Sequence, residues 1–263
     1  MENEAGRAKR RITLFKYILE SPKSMSPSKK TKTNPTANLR LSMAVENYLL
    51  SIFQLEEQGI RVTPTSLSEQ LKRLPEGEGL GTSLPSIGAM IRRMVRDNLL
   101  ANSDTKTIVF TSDGKNAAQS MVRRHRLAKR LVVDLLGLEL YKAHEEAHRL
   151  EHAISHDLEN KINDRLNNPT TCPFGHPIPG NGYIPEGNII PLNQAKTGTE
   201  YNIDRIPDEE RPLLEYLVKN GFIPNQTIVV KDLAPYRGII NILCNDTEIT
   251  VSYDVASRIW VRL

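Results

Sequence analysis

The chain has few cysteines, few aromatic residues and no long apolar run. Its two cysteines, Cys172 and Cys244, form no CxxC pair. This excludes a disulfide framework and a thiolate zinc ribbon. Because no stretch is apolar over the length of a bilayer and none precedes a signal-cleavage pattern, we expect a cytoplasmic protein without a membrane partner.

The composition is that of a globular protein with a basic balance. Hydrophobic residues make up 39% of the chain and charged residues 25%, which suits one large domain or two to three small ones. The net charge of +4 and the pI near 9.0 favour a polyanionic partner, but only weakly. Residues 1–40 are basic and lack apolar periodicity, so we predict a disordered tail there.

Helical patterns begin at Leu41. The stretch SMAVENYLLSIFQLEEQG predicts a first helix that Gly59 closes. A second, short helix is predicted in VTPTSLSEQLKRL, starting at Thr65 or Ser66.

A third, basic helix and a two-stranded ribbon follow. Ser83 is the expected N-cap of the helix in SLPSIGAMIRRMVRDNLL, and LLANSDTKTIVFTSDGK predicts two short strands around a polar tip at Ser103–Lys106. Three helices and a ribbon in this order predict a winged helix-turn-helix domain over residues 41–113.

The rest of the chain divides into a helical and a β-rich part. We predict a long helix ending at Gly137 and a single further helix in YKAHEEAHRLEHAISHDLENKIND, which together form a domain over 114–168. A Pro/Gly-rich linker is predicted at 169–188. Several short strands at close spacing then predict a small β-barrel over 189–263.

A ladder of histidines is the most informative pattern. His144, His148, Glu151 and His152 follow i, i+4, i+7, i+8 spacing and therefore share one helix face. Neutral imidazoles with a carboxylate suit a divalent transition metal, with nitrogen and oxygen ligands only. His125 on the preceding helix could supply a further ligand if the two helices pack together.

A second interpretation of the ladder is enzymatic. The residues from His144 to His148 satisfy HExxH, the pattern of zinc proteases in which two histidines bind zinc and the glutamate is the base. Such short patterns occur by chance, and the longer ladder already accounts for these histidines. We therefore expect no enzyme and no small organic substrate.

The third helix is the candidate DNA reader. Its polar and basic side chains could reach bases or phosphates, and its small residues allow close approach to a duplex. A lysine at the wing tip would add a phosphate contact. The candidate DNA-binding residues are Ser83, Pro85, Ser86, Ala89, Arg92, Arg93 and Lys106.

Residues 41–263 resemble the diphtheria toxin repressor and manganese transport regulator family of metal-dependent repressors. The stretches that carry the resemblance are AVENYLLSIFQLEE, MVRRHRLAKRLVVDLLGL with HEEAHRLEHAIS, and CPFGHPIPG. The β-rich end resembles the SH3-like domain of this family and of ferrous iron transport proteins. The implied fold is mainly α with small β parts: a winged helix-turn-helix, a helical dimerisation and metal-binding domain, and an SH3-like β-barrel.

The resemblance also implies metal ligands. A primary site would use Asn47, His148, Glu151 and His152, and an ancillary site would use His125 and His144 with an acid such as Asp208 from the SH3-like domain. Four positions depart from the family pattern. Asn47 stands where members carry Met or Asp, and His148 stands where they carry Cys or Glu. Lys129 replaces an acidic ancillary ligand, where a cation should repel a metal, and Arg205 stands where an acid is expected.

These features together predict a homodimeric, metal-dependent transcriptional repressor that binds a double-stranded DNA operator and controls metal homeostasis. Manganese or iron(II) is the expected metal, with zinc, cobalt or nickel as alternatives. An ion held between Asn47 and the histidine helix would set the spacing of the two recognition helices near one turn of DNA. The alternative from another class is a metal-binding sensor or storage module that does not contact DNA.

Overall fold

The structure is a computed structural model that describes residues 41–74, 80–101 and 107–263. The predicted tail and the predicted wing tip with Lys106 lie outside these residues. The chain forms two compact units, one ending at Met121 and one beginning at Val122. No helix in the described part is long and apolar enough to cross a membrane.

Within the described residues, the first unit contains three helices and the start of a fourth. They are α1 (Met43–Glu57), α2 (Pro64–Leu71), α3 (Leu84–Arg96) and α4 (Ser112–Arg130). The three helices confirm the predicted order of a helix-turn-helix. In the region of the predicted two-stranded ribbon, the described residues form one antiparallel bridge, between Leu100 and Phe110.

The central helix of this unit is α1, which is buried on nearly all sides. Its apolar side chains Val45, Leu49, Ile52 and Phe53 are fully buried. The C-terminal end of α1 contacts α4: Lys115 Nζ on α4 lies 2.7 Å from Glu56 Oε2 and over the Phe53 ring. Burial around the helix makes α1 the core of the first unit.

The start of α2 differs from the prediction by one to two residues. The helix begins at Pro64 because Thr63, not Thr65 or Ser66, is its N-cap: the Thr63 side chain accepts a hydrogen bond from the Ser66 backbone N–H. Proline also suits the first turn, where its fixed φ is helical and no N–H is needed.

The second unit opens with helices. α4 runs into a π-helical turn at Leu131–Leu135 and the chain turns at Gly137, whose φ is +71°. The single helix predicted next is wrong. It is divided into α5 (Ala143–Glu151) and α6 (His156–Arg165), because the Ser155 hydroxyl accepts from Leu158 N–H and caps a new helix.

The β-rich end is a six-stranded antiparallel sheet in the order β1-β6-β2-β3-β4-β5. It encloses a core that includes Ile203, Phe222 and Ile242. The elements are β1 (Ile189–Pro191), β2 (Glu200–Arg205), α7 (Arg211–Lys219), β3 (Thr227–Ala234), β4 (Ile239–Cys244), β5 (Thr247–Ser252), α8 (Tyr253–Arg258) and β6 (Trp260–Arg262).

Residues 171–181, here called the clamp segment, join the helices of the second unit to this sheet. On one side, Arg130 donates to Thr171 O at 2.8 Å and Arg123 donates to Pro179 O at 2.8 Å. On the other side, Gly175 has a φ of +87° and packs so closely on the Asp204 carbonyl that a Cβ would lie 1.9 Å from its oxygen. The segment predicted as a linker is thus a packed connector between α4 and the end of β2.

Candidate metal centre and DNA-binding helix

The second unit brings the predicted histidines together. α4 contributes His125, α5 contributes His144, His148 and Glu151, and His152 is the C-cap of α5. The first four are buried. The imidazole rings contact one another edge-on or stacked, with centroids 5.3–6.2 Å apart.

Glu151 lies at the middle of this group. His125 Nδ1 is hydrogen-bonded to Glu151 Oε2, while His148 Nδ1 lies 2.9 Å and His152 Nε2 3.6 Å from Glu151 Oε1. His125, His148 and Glu151 each offer a ligand atom within 4.8 Å of the others. We call these three residues the metal cluster, with His152 at its edge.

The resemblance had assigned His125 to the ancillary site. The structure turns its ring towards Glu151 instead, and therefore groups it with the residues of the primary site. This regrouping depends on side-chain packing, which brings His125 on α4 into contact with Glu151 at the end of α5.

Burial shifts the pKa values in this group in opposite directions. Desolvation, helped by the nearby Lys129 charge, lowers the pKa of His125 well below its usual value and that of His144 to about 3. Desolvation raises the pKa of Glu151, against the opposing effect of His148. The imidazoles of His125 and His144 are therefore neutral at physiological pH, which is the form that binds metals.

The metal cluster fits a divalent cation. A buried carboxylate costs free energy unless a counter-charge accompanies it, and neutral imidazoles supply none. His125 Nε2 is buried without a hydrogen-bond partner among the described residues. A cation that binds nitrogen and oxygen donors would balance the charge of the Glu151 carboxylate and would give the His125 imidazole a partner.

A second buried acid lies beside the metal cluster. Asp208 follows β2 and accepts a hydrogen bond from the Lys129 ammonium, and its Oδ1 lies 4.0 Å from His144 Nδ1. Burial alone would raise the pKa of Asp208, but the charge and hydrogen bond of Lys129, together with His176 and His144, outweigh burial and hold that pKa below its usual value. Asp208 was predicted as a metal ligand; its carboxylate is paired with lysine.

Arg205, which stands at an expected acid position, is fully buried. Its Nε donates to Asp204 Oδ2 at 2.9 Å and its guanidinium lies 5.4 Å from the Trp260 ring centre. Arg205 therefore stabilises the end of β2.

The HExxH glutamate belongs to a different environment from its two histidines. Glu145 is partly exposed and its Oε2 lies 3.2 Å from Arg211 Nη1 on α7. His144 and His148 are buried. The side chain that would serve as the base in a zinc protease thus forms a surface ion pair with α7.

The predicted DNA reader, α3, presents its candidate residues to solvent. Its buried side consists of Ile87 and Met94, and its N-cap is Ser83, as predicted. The exposed candidates are Ser83, Pro85, Ser86, Ala89, Arg92 and Arg93. Sequence reasoning missed Leu84, which is 54% exposed at the same end and could contact a thymine methyl group.

Two hydroxyl groups position the turn before α3. Tyr48 on α1 donates to Gly81 O at 3.3 Å, and Ser68 on α2 donates to Thr82 O at 2.6 Å. The start of α3 is therefore held by both preceding helices of the first unit. A reader helix needs such support, because its base contacts depend on a fixed position.

Comparison with known proteins decides the family. Residues 111–180 match the model of the iron dependent repressor, metal binding and dimerisation domain, and residues 190–263 match the FeoA domain. The iron-dependent repressor IdeR of Mycobacterium leprae is 30% identical over 231 residues, which cover 82% of this chain and 96% of that repressor. The chain belongs to the family of iron-dependent and diphtheria toxin repressors.

Other members of this repressor family agree in sequence and architecture. The diphtheria toxin repressor of Corynebacterium diphtheriae is 34% identical over 143 residues, covering 54% of this chain and 59% of that repressor. A manganese-dependent transcriptional repressor, solved in complex with manganese, is 28% identical and superimposes with a TM-score of 0.72, over 83% of this chain and 99% of that one. The predicted family, the winged helix-turn-helix and the SH3-like domain are confirmed.

Asn47 lies in the first unit, buried on α1. Its predicted role as a ligand rests on the resemblance and stays a prediction.

Proposed function

We propose that this member of the repressor family is a metal-dependent DNA-binding transcriptional repressor that controls metal-ion homeostasis as a cytoplasmic homodimer. The observation that carries the proposal is the metal cluster, in which a fully buried Glu151 faces the imidazoles of His125 and His148. Dimerisation is supported by the family domain matched at 111–180.

The proposed ligands are His125, His148 and Glu151, with His152 at the edge and Asn47 from α1 by resemblance. A bound divalent ion would supply the positive charge that the buried carboxylate lacks. Manganese or iron(II) is the proposed metal, because relatives are named for each and the donor atoms are nitrogen and oxygen. Zinc, cobalt and nickel remain alternatives, since donor type alone does not separate them.

The proposed partner is an operator in double-stranded DNA, read by α3 of each subunit. Its exposed Arg92 and Arg93 would contact phosphates or guanine, and its small Ala89 would allow close approach. Occupancy of the metal cluster favours the DNA-binding arrangement of the dimer, and linkage then requires DNA to tighten metal binding in return.

We also propose that the chain contains domains at 41–113, 114–168 and 189–263. We further propose that the protein has no enzymatic activity. The rival zinc hydrolase needs Glu145 as a base, and the ion pair of that residue with Arg211 argues against such a role. A storage module without DNA contact is a rival that the exposed basic face of α3 disfavours.

The test uses a duplex that the Mn(II)-loaded wild-type protein selects from a random library. The double variant Arg92→Ala/Arg93→Ala should bind Mn(II) normally but lose affinity for that duplex. The slope of the logarithm of its binding constant against the logarithm of the salt concentration should be less steep by about 0.9 per lost phosphate contact. Arg165→Ala, on α6 far along the sequence from α3, is the matched control. Unchanged duplex binding by the double variant would contradict the proposed reader, and failure of the wild type to select any duplex would favour the storage module.

A further inference from the structure

Lys129 and Asp208 form an ion pair that is almost completely removed from water. Their side chains are 2% and 3% exposed. The ammonium donates to Asp208 Oδ2 and lies 5.2 Å from the centre of the Phe174 ring. The cation is thus held by a carboxylate and by the face of an aromatic ring.

The position of this pair is where the resemblance implied an ancillary metal. His144 Nδ1 lies 4.0 Å from the second oxygen of Asp208, so an imidazole and an acid do meet there. A protonated lysine, however, has no lone pair to offer a metal. A divalent ion on the same carboxylate would also be repelled by the ammonium at short range, in surroundings that screen charge poorly.

The other expected ancillary ligand has a different partner. His125 is hydrogen-bonded to Glu151, and within the described residues the metal cluster is the group whose donors converge. The residues beside Lys129 therefore do not fit a second metal.

We propose that the Lys129 ammonium is a built-in substitute for a second cation. It neutralises Asp208 and joins α4 to the segment after β2 without any metal, so each subunit binds one divalent ion. The inference rests on the proposed function in one respect, since the single ion is the one assigned to the metal cluster.

The experiment measures bound Mn(II) per chain by equilibrium dialysis. The wild type should bind one ion and Lys129→Glu two, because the new carboxylate would complete a nitrogen and oxygen donor set with His144 and Asp208. Lys161→Glu reverses the charge of an exposed lysine on α6 and should still bind one ion. Two ions in the wild type, or one in folded Lys129→Glu, would overturn the inference; none in the wild type would instead refute the proposed function.

A second variant covers the case in which Lys129→Glu does not fold. Lys129→Met in the presence of EDTA leaves Asp208 buried without its cation, and its thermal midpoint should fall by about 5–15 °C. The double variant Lys129→Met/Asp208→Asn removes both charges and should recover much of that loss. An unchanged midpoint for Lys129→Met would overturn the inference, because the pair would then not join the two segments.

Discussion

Glu151 and Asp208 are both buried acids of the second unit, but their partners differ. Glu151 faces the His125 imidazole, whose pKa burial and the Lys129 charge lower, so this ring carries no charge to balance the carboxylate. Asp208 faces an ammonium that does balance it. Two side chains one helical turn apart on α4, His125 and Lys129, thus distinguish a site that needs an added cation from a site that already contains one.

The largest expected effect concerns stability at Asp208. Asp208→Asn leaves the Lys129 charge buried without its partner, and breaking such a pair costs about 3–5 kcal/mol of unfolding free energy. Urea unfolding in EDTA measures the loss. Mn(II) should stabilise the wild type and the variant equally through the metal cluster, so the difference between them should persist; a smaller gain from Mn(II) in the variant would mean that Asp208 belongs to a metal site after all.

Glu151→Gln should behave in the opposite way. Without metal the amide avoids burying a carboxylate, so unfolding in EDTA should require as much urea as in the wild type, or more. The wild type should gain about 2.7 kcal/mol when free Mn(II) is 100 times its Kd, whereas the variant should gain almost nothing. An equal gain in both proteins would place the ion elsewhere.

Gly175→Ala tests the support of the lysine pair. The substitution forces a side chain into a left-handed conformation and against the Asp204 carbonyl, at a cost of about 1–3 kcal/mol. Because the clamp segment packs against the end of β2, shortly before Asp208 in the chain, thermal stability should fall while Mn(II) stoichiometry stays at one per chain. If the folded variant lost Mn(II) binding, the metal cluster around Glu151 and the ion pair of Asp208 would not be independent of each other.

The smallest effect separates two neighbouring histidines. His148→Ala removes a ligand and should weaken Mn(II) binding at least about tenfold, or ~1.4 kcal/mol. His144→Ala, whose Nδ1 lies beside Asp208, should change Mn(II) affinity by less. His156→Ala, on the exposed start of α6, is the control for both in isothermal titration. The reverse order for His144 and His148 would contradict the assignment of ligands.

Much of the fold was predictable because the patterns were local. Helix periodicity gave α1 to α4, and the spacing of His144, His148 and Glu151 placed them on one face. Caps were less predictable: Thr63 competes with Thr65 and Ser66 nearby, and Ser155 lies inside a helical pattern that continues on both sides of it, so its use as a cap depends on packing. The division of α5 from α6 was missed for this reason.

The partners across the site could not be predicted from local patterns. Lys129 and Asp208 are 79 residues apart along the chain, and their contact depends on how the clamp segment packs between α4 and β2. The residues CPFGHPIPG carried a signal, because glycines and prolines in such density indicate fixed, close backbone packing as readily as a linker. The regrouping of His125 with Glu151 likewise follows from side-chain packing.

The affinity of the protein for its selected duplex, measured with and without Mn(II) in the wild type and in Glu151→Gln, tests the central claim most directly. Mn(II) should tighten duplex binding by the wild type by about 5- to 150-fold, the usual range of allosteric coupling, and should leave the variant unchanged. Equal affinities of the wild type in the two conditions, or an undiminished response of Glu151→Gln, would contradict it.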